Sequence, residues 1–227
     1  MKKILLIGLP NVGKSTIFDR LIANKVRISS YHGTAVEVRR GDLNIDGEDV
    51  ELIDTPGVCN LLFNEDNERV TRNIIIDEKP DLLVQVCDAK NLNRSLVLTS
   101  LLAEFSAPLV LVINMVDEAA QKGIKVKRHK LEDILGTPVV ETIASEGVGV
   151  PSLISALSKG QKPHHPSKLP TTLVAAVNDL LGLVSTEVCN EQEKQALAVC
   201  LLQVITRLPC GHNKKSGSST MRQPVRL

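Results

Sequence analysis

The 227-residue sequence has no tryptophan, one tyrosine and three phenylalanines, so aromatics make up only 2% of it. Hydrophobic residues still reach 43%, enough for a core, and that core must be aliphatic. Short blocks of Val, Leu and Ile suit a buried parallel sheet. Neither charge sign is in excess: the formal net charge is +1. Such a balance gives no electrostatic signature of nucleic acid and no strong pull toward an acidic membrane. The five cysteines are odd in number and scattered, which argues against a disulfide framework and for a reducing cytosol. No stretch reaches the roughly 18 apolar residues of a membrane span. The start MKKILLIGLP has two lysines and an apolar run, but that run is short and no small-residue cleavage site follows, so it does not read as a signal peptide. A soluble, cytoplasmic segment without direct membrane insertion is expected.

Apolar blocks alternate with amphipathic ones along the chain. The pattern predicts strands at Lys3–Ile7, Ala35–Arg39, Val50–Ile53, Leu82–Cys87, Leu109–Ile113 and Val139–Ile143. It predicts helices at Lys14–Ile22, Asn67–Asp77, Asn93–Phe105, Lys127–Leu135 and Val150–Leu157. GDLNIDGEDVEL reads as a hairpin turning at Asp46-Gly47. The fold class is therefore α/β, a mixed six-stranded sheet with helices on both faces. This domain spans residues 1–160. A Pro- and His-containing stretch, KGQKPHHPSKLP, supplies a linker at 161–170. A short helical segment follows at 171–208, then a polar, Gly/Ser-rich tail at 209–227 that reads as disordered. There are no internal repeats.

Three short motifs carry chemistry. GLPNVGKS fits G-x-x-x-x-G-K-[ST], the phosphate-binding P-loop, with a strand before it and a helix after it as that loop requires. Gly8 and Gly13 permit the tight turn, and the backbone around Asn11, Val12 and Thr16 cradles phosphate. Lys14 places a point charge on the β- and γ-phosphates, and Ser15 offers its hydroxyl to Mg²⁺. The second motif, DTPG, comprises Asp54, Thr55, Pro56 and Gly57 and ends the Val50–Ile53 strand. Alone it is an ordinary turn. At the C-terminal edge of a strand behind a P-loop, Asp54 becomes a Mg²⁺ ligand and the Gly57 N–H a contact to the γ-phosphate. The third, NMVD, comprises Asn114, Met115, Val116 and Asp117. The Asp117 carboxylate can accept from the guanine N1–H and exocyclic amine, a donor pair that adenine lacks. Asn114 would tie this base loop to the P-loop.

In their order these motifs resemble the translation-factor-related GTPases. More narrowly, the chain resembles the cytosolic G domain of the bacterial ferrous iron transport protein B family. The stretch DEKPDLLVQVCDAKNLNRSLVLTSLLAEFSAPLVLVINMVDEAAQKGIKV runs close to that family's pattern, and LGTPVVETIASEGVGV continues it. The resemblance is nearly continuous from Lys3 to about Leu157. It implies a Ras-like P-loop GTPase fold with GTP or GDP, Mg²⁺ and K⁺ as cofactors. Asn11, Lys14 and Gly57 would be catalytic, and Asn11 would hold the K⁺ beside the phosphates. A fifth element around Ile143, Ala144 and Ser145 would turn a backbone N–H, that of Ala144, toward guanine O6. The implied partner is a membrane transporter domain, with the module at the cytosolic face of the inner membrane. The helices after the linker resemble the family's short helical domain.

The sequence also departs from the family. Switch I there reads G-V-T-V-E, its Thr on Mg²⁺; here Gly33, Thr34 and Ala35 put Ala where that Thr belongs. Thr34 is the substitute Mg²⁺ ligand if the loop shifts by one residue. Val58 stands where Ras-like enzymes place a water-orienting Gln, and Val cannot polarise water, which fits slow hydrolysis. Two other readings stay open: a nucleotide-binding switch with negligible hydrolysis, and a ribosome-assembly GTPase, which usually carries a basic RNA-binding appendage. His164-His165 and Cys210-Gly-His212 read as solvated rather than metal-binding. Glu65–Arg69 reads as a solvated helix start.

Overall fold

The computed structural model describes residues 1–22, 26–31, 34–59, 61, 65–103, 105, 107–161 and 163. The expected linker, helical segment and tail lie almost wholly outside the described residues. Among the described residues seven strands form one sheet: β1 (Lys2–Gly8), β2 (Arg27–Ser30), β3 (Glu37–Ile45), β4 (Glu48–Asp54), β5 (Leu82–Asp88), β6 (Leu109–Asn114) and β7 (Val139–Thr142). Their order is β2-β3-β4-β1-β5-β6-β7. β1 runs parallel to β4 and β5, and β5, β6 and β7 are mutually parallel. β3 is antiparallel to both β2 and β4.

The sheet has one strand more than the hydropathy pattern predicts. The extra strand, β2, is RISS; every residue in it is exposed, Ile28 included. An edge strand held by backbone pairing to one neighbour has no face to bury, so it leaves no apolar alternation to read. The expected strand at Ala35–Arg39 and the predicted hairpin merge into a continuous β3–β4 pair. Asp46 (φ 52°) and Gly47 (φ 86°) both take positive φ at its turn, the combination a type I′ hairpin requires.

Among the described residues there are six α-helices: α1 (Lys14–Leu21), α2 (Asp66–Glu78), α3 (Leu92–Ala103), α4 (Val116–Gln121), α5 (Arg128–Leu135) and α6 (Val150–Leu157). α4 is absent from the sequence reading because six residues are too few to display a 3.6-residue period. Strand β6, LVLVIN, is buried throughout, the signature of a central parallel strand covered on both faces. Its Leu111 and Ile113 join one apolar cluster with Cys87, Ala119 and Val139, while Val110 and Val112 join another with Phe18 and Leu153. This alternation is the period-2 geometry of a strand sandwiched between helical layers. It leaves the C-terminal ends of β1, β4, β6 and β7 to carry the loops that hold the three motifs and the fifth element.

Candidate nucleotide site

The loop between β1 and α1 turns through two residues with positive φ, Asn11 (62°) and Gly13 (84°). Asn tolerates this region better than most residues, and glycine enters it freely. Gly13 is also constrained from outside: a Cβ there would lie 2.2 Å from Asn114 Nδ2. Gly8 is held by close packing, since its Cβ would meet the Val86 carbonyl oxygen at 2.5 Å. Gly57 of the second motif would bring a Cβ within 2.9 Å of Pro10 Cα. The second motif therefore rests directly on the phosphate loop, and Val58 N–H donates to the Gly8 carbonyl at 3.0 Å.

Asn114, buried at the end of β6, joins three segments. Its Nδ2 donates to the Val12 carbonyl at 3.0 Å. Its Oδ1 accepts from Thr142 Oγ1 at 3.1 Å and from Ala144 N–H at 3.0 Å. Met115 then takes φ 60° and starts α4, which sets Asp117 in the first turn of that helix. The resulting cavity is lined by Gly13, Thr16, Asn114, Met115, Asp117, Ile143, Ala144 and Ser145. A second cavity adjoins it, lined by Asn11, Gly13, Lys14, Ser15, Thr16 and Gly57, with Asn67 of α2 entering from the side. Motifs more than a hundred residues apart thus converge on two adjacent hollows, one beside Asp117 and one beside Lys14.

Lys14, which lines the second hollow, forms a buried ion pair with Asp54. Ser15 Oγ lies 3.2 Å from Asp54 Oδ2, and Arg39 Nη1 lies 3.8 Å from the same oxygen. Asp54 and Ser15 present hard oxygen donors side by side, a donor set that suits Mg²⁺, which commonly takes one or two protein ligands and completes its shell with water and phosphate. Asn11 lines the hollow, and its side chain makes no hydrogen bond among the described residues.

Several expected positions fall elsewhere. Thr34 does not reach the hollow: its Oγ1 donates to the Tyr31 carbonyl at 3.0 Å and accepts from Val36 N–H at 3.3 Å. This closed local turn takes up the hydroxyl that was expected to replace the missing Mg²⁺ ligand. Ala35 is exposed and lines neither cavity, and Gly33 lies outside the described residues. Thr55 is buried with its hydroxyl on the Leu6 carbonyl at 2.8 Å, so it braces the strand end and does not face a ligand. Pro56 lines neither cavity. Val58 is buried, so that position cannot orient a water molecule at all. The N–H of Ala144, expected to face guanine, is taken by Asn114. Glu68 is also buried, contrary to the solvated start expected for α2. The sequence reading missed Asn67, which has no motif around it and enters the hollow only through the packing of α2.

Three comparisons bear on this geometry. The sequence pattern of the family described as Ferrous iron transport protein B matches residues 2–157. The Fe(2+) transporter FeoB of Legionella pneumophila (strain Lens) is 36% identical over 202 residues, covering 87% of this chain and 27% of that protein. The Fe(2+) transporter FeoB of Escherichia coli (strain K12) is 33% identical over 165 residues, covering 70% of this chain and 21% of that protein. The chain thus spans about a quarter of the length of these relatives. Among solved structures, the cytosolic domain of L. pneumophila FeoB superposes with a TM-score of 0.82 at 31% identity, covering 90% of this chain and 89% of that one. A mutant of S. thermophilus NFeoB bound to GDP gives a TM-score of 0.77 at 27% identity, covering 89% of this chain and 79% of that one.

Proposed function

Because the chain belongs to the ferrous iron transport protein B family and carries its G domain, we propose that it binds GTP and GDP and switches between these states to regulate ferrous iron uptake. The observation that supports this best is Asn114, whose side chain fastens the phosphate loop, the Asp117 helix and the Ala144 loop into one site. Asp117 reads the guanine N1–H and amine, and Lys14 takes the β- and γ-phosphates.

The Lys14–Asp54 pair gives the site a coupling. When phosphate draws Lys14 away, the buried Asp54 loses its nearest cation and keeps the Ser15 hydroxyl at 3.2 Å and Arg39 at 3.8 Å, and weakening a buried ion pair is costly, up to about 3–5 kcal/mol where no partner remains. A cation held by Asp54 and Ser15 offsets that cost. Phosphate and Mg²⁺ are therefore taken up together. Bound by Ser15 and Asp54, Mg²⁺ would supply charge neutralisation on the phosphate oxygens. Asn11 would offer a side-chain oxygen to K⁺. The buried Val58 supports slow hydrolysis, with Gly57 and Asn67 beside the phosphate hollow. The chain's partner is a membrane transporter domain, which places the module at the cytosolic face of the inner membrane.

Fluorescent GDP and ADP titrated against the chain test the base assignment. GDP binds at least a hundredfold more tightly, and Asp117→Ala removes that preference while the melting temperature holds. Comparable affinities in the unmodified chain would sink the reading. Faster GTP hydrolysis in K⁺ than in Na⁺ supports Asn11 in its role, and equal rates remove it.

A further inference from the structure

Arg20 closes the last turn of α1, and its guanidinium crosses to a loop 124 residues further along the chain. Nε donates to the Ala144 carbonyl at 3.0 Å, and Nη2 donates to the carbonyl of Ser145. The fork of one guanidinium thus holds two successive carbonyls, a task its planar set of donors performs and a lysine ammonium does not. Both carbonyls belong to residues that line the cavity beside Asp117.

The consequence lies in the peptide between them. The bond from Ala144 to Ser145 is trans, so its C=O and N–H point in opposite directions. The Ala144 carbonyl accepts from Gly147 N–H at 3.3 Å as well as from Arg20, and holding it on the α1 side holds the Ser145 N–H on the other. That N–H has no hydrogen-bond partner among the described residues. The neighbouring N–H of Ala144 is already committed to Asn114 Oδ1, and that of Glu146 to the Ile143 carbonyl at 3.0 Å. Among the described residues, the Ser145 N–H is thus the unpaired backbone donor of the Ala144–Glu146 stretch. If the peptide turned over, the Ala144 carbonyl would face the ligand, and an oxygen lone pair cannot satisfy another oxygen.

We propose that Arg20 is a positioning residue for guanine recognition: by gripping the carbonyls of Ala144 and Ser145 it aims the Ser145 N–H at guanine O6. The inference rests on the guanine reading of the site and adds a residue outside every nucleotide motif. Asp117 accounts for the donor edge of the base, N1–H and the amine; Arg20, through Ser145, accounts for its acceptor.

Competition titrations with GDP, 6-thio-GDP and IDP test this in the full chain. 6-thio-GDP keeps the donor edge and weakens the acceptor, whereas IDP lacks the amine that Asp117 reads. The unmodified chain prefers GDP to both. Arg20→Ala weakens GDP about tenfold, mostly through faster dissociation, the effect of releasing two hydrogen bonds from a charged donor at a partly exposed site. Its preference for GDP over 6-thio-GDP falls toward one, while its preference for GDP over IDP stays. Arg20→Lys regains part of the lost discrimination. Arg20→Gln behaves as Arg20→Ala and stands in for it if that variant folds poorly. A GDP to 6-thio-GDP ratio unchanged in Arg20→Ala and Arg20→Gln overturns the proposal, even if both bind GDP more weakly. So does an unmodified chain that separates GDP from ADP but not from 6-thio-GDP. A chain that fails to separate GDP from ADP removes the guanine reading itself, and the proposal with it.

Discussion

Gly13 and Asn114 share a space that admits no further atom: a Cβ on the first would stand 2.2 Å from the amide nitrogen of the second. The phosphate loop and the base loop are thus packed against each other as well as hydrogen-bonded. Gly13 also holds φ 84°, which disfavours any side chain. Gly13→Ala therefore displaces Asn114 from the Val12 carbonyl and strains the loop. The variant is expected to lose about 2 kcal/mol of stability and at least tenfold in GDP affinity. Thermal unfolding and nucleotide titration check the two effects. Native GDP affinity in this variant would mean that the two loops are not mechanically linked.

Switch I offers a paired substitution. The Thr34 hydroxyl is spent on Tyr31 and Val36, and Ala35 carries no oxygen. Thr34→Ala should leave the Mg²⁺ dependence of GTP binding unchanged. Ala35→Thr, which adds a hydroxyl at the position where the family carries its Thr, should steepen it about threefold to tenfold, a gain the size of one hydrogen bond or weak ligand contact. Mg²⁺ titrations monitored by a fluorescent GTP analogue separate the two. A large loss in Thr34→Ala would show that this hydroxyl leaves its turn to bind the metal.

Tyr31 is the only tyrosine and the chain has no tryptophan, so its ionisation is visible without interference. Its hydroxyl donates to Asp77 Oδ2 on α2 at 2.8 Å. Burial, and then the bond to the Asp77 carboxylate, push its pKa up to about 12 from the usual 10.0. Both effects disfavour the phenolate, so the folded state binds the proton more tightly than the unfolded one. The stability this gives is complete below pH about 10 and is lost as pH rises through about 12. Tyrosinate absorbance in the folded chain should titrate near the upper value, near the lower one in denaturant, and in between in Asp77→Asn. A folded-state midpoint at the unperturbed value would show that switch I is not held to α2.

The two described cysteines should react oppositely. Cys59 follows the second motif and is exposed, and Arg94 Nη2 approaches its sulfur at 3.4 Å. Cys87 is fully buried in β5, and burial pushes its thiol up to about 12. Since the thiolate is the reactive form, iodoacetamide near neutral pH should label Cys59 and spare Cys87 until the chain unfolds. Peptide mass spectrometry resolves the sites. Equal labelling would mean that β5 opens readily.

Much of the site was legible because the P-loop, DTPG and NMVD each need particular residue types at fixed spacing beside a strand end. Gly13, Lys14, Ser15 and Gly57 line one hollow and Asn114 and Asp117 the other, with Gly8 packed beneath the loop and Asp54 paired to Lys14. β6 was legible for a related reason: a strand buried on both faces must be apolar throughout. β2 was not, because backbone pairing alone holds it and any residue can supply that. The partners of the Thr34 hydroxyl and of the Ala144 N–H were not legible either. A hydroxyl or an N–H has several reachable partners, and its type does not say which it takes.

The sequence by itself determined the α/β class, the order of the motifs and the residues able to carry phosphate, metal and base chemistry. These depend on hydrophobic period, on glycine's conformational reach and on side-chain functional groups, all local properties. Only the tertiary structure decided which polar atoms remain available. It spent Thr34 on its own turn, Ala144 on Asn114 and Asp54 on Lys14. It also brought Asn67 and Arg20 to the site from helices that carry no motif at those positions. A donor hydrogen bonds mainly one acceptor at a time, and which acceptor it reaches across distant segments is a property of the assembled fold.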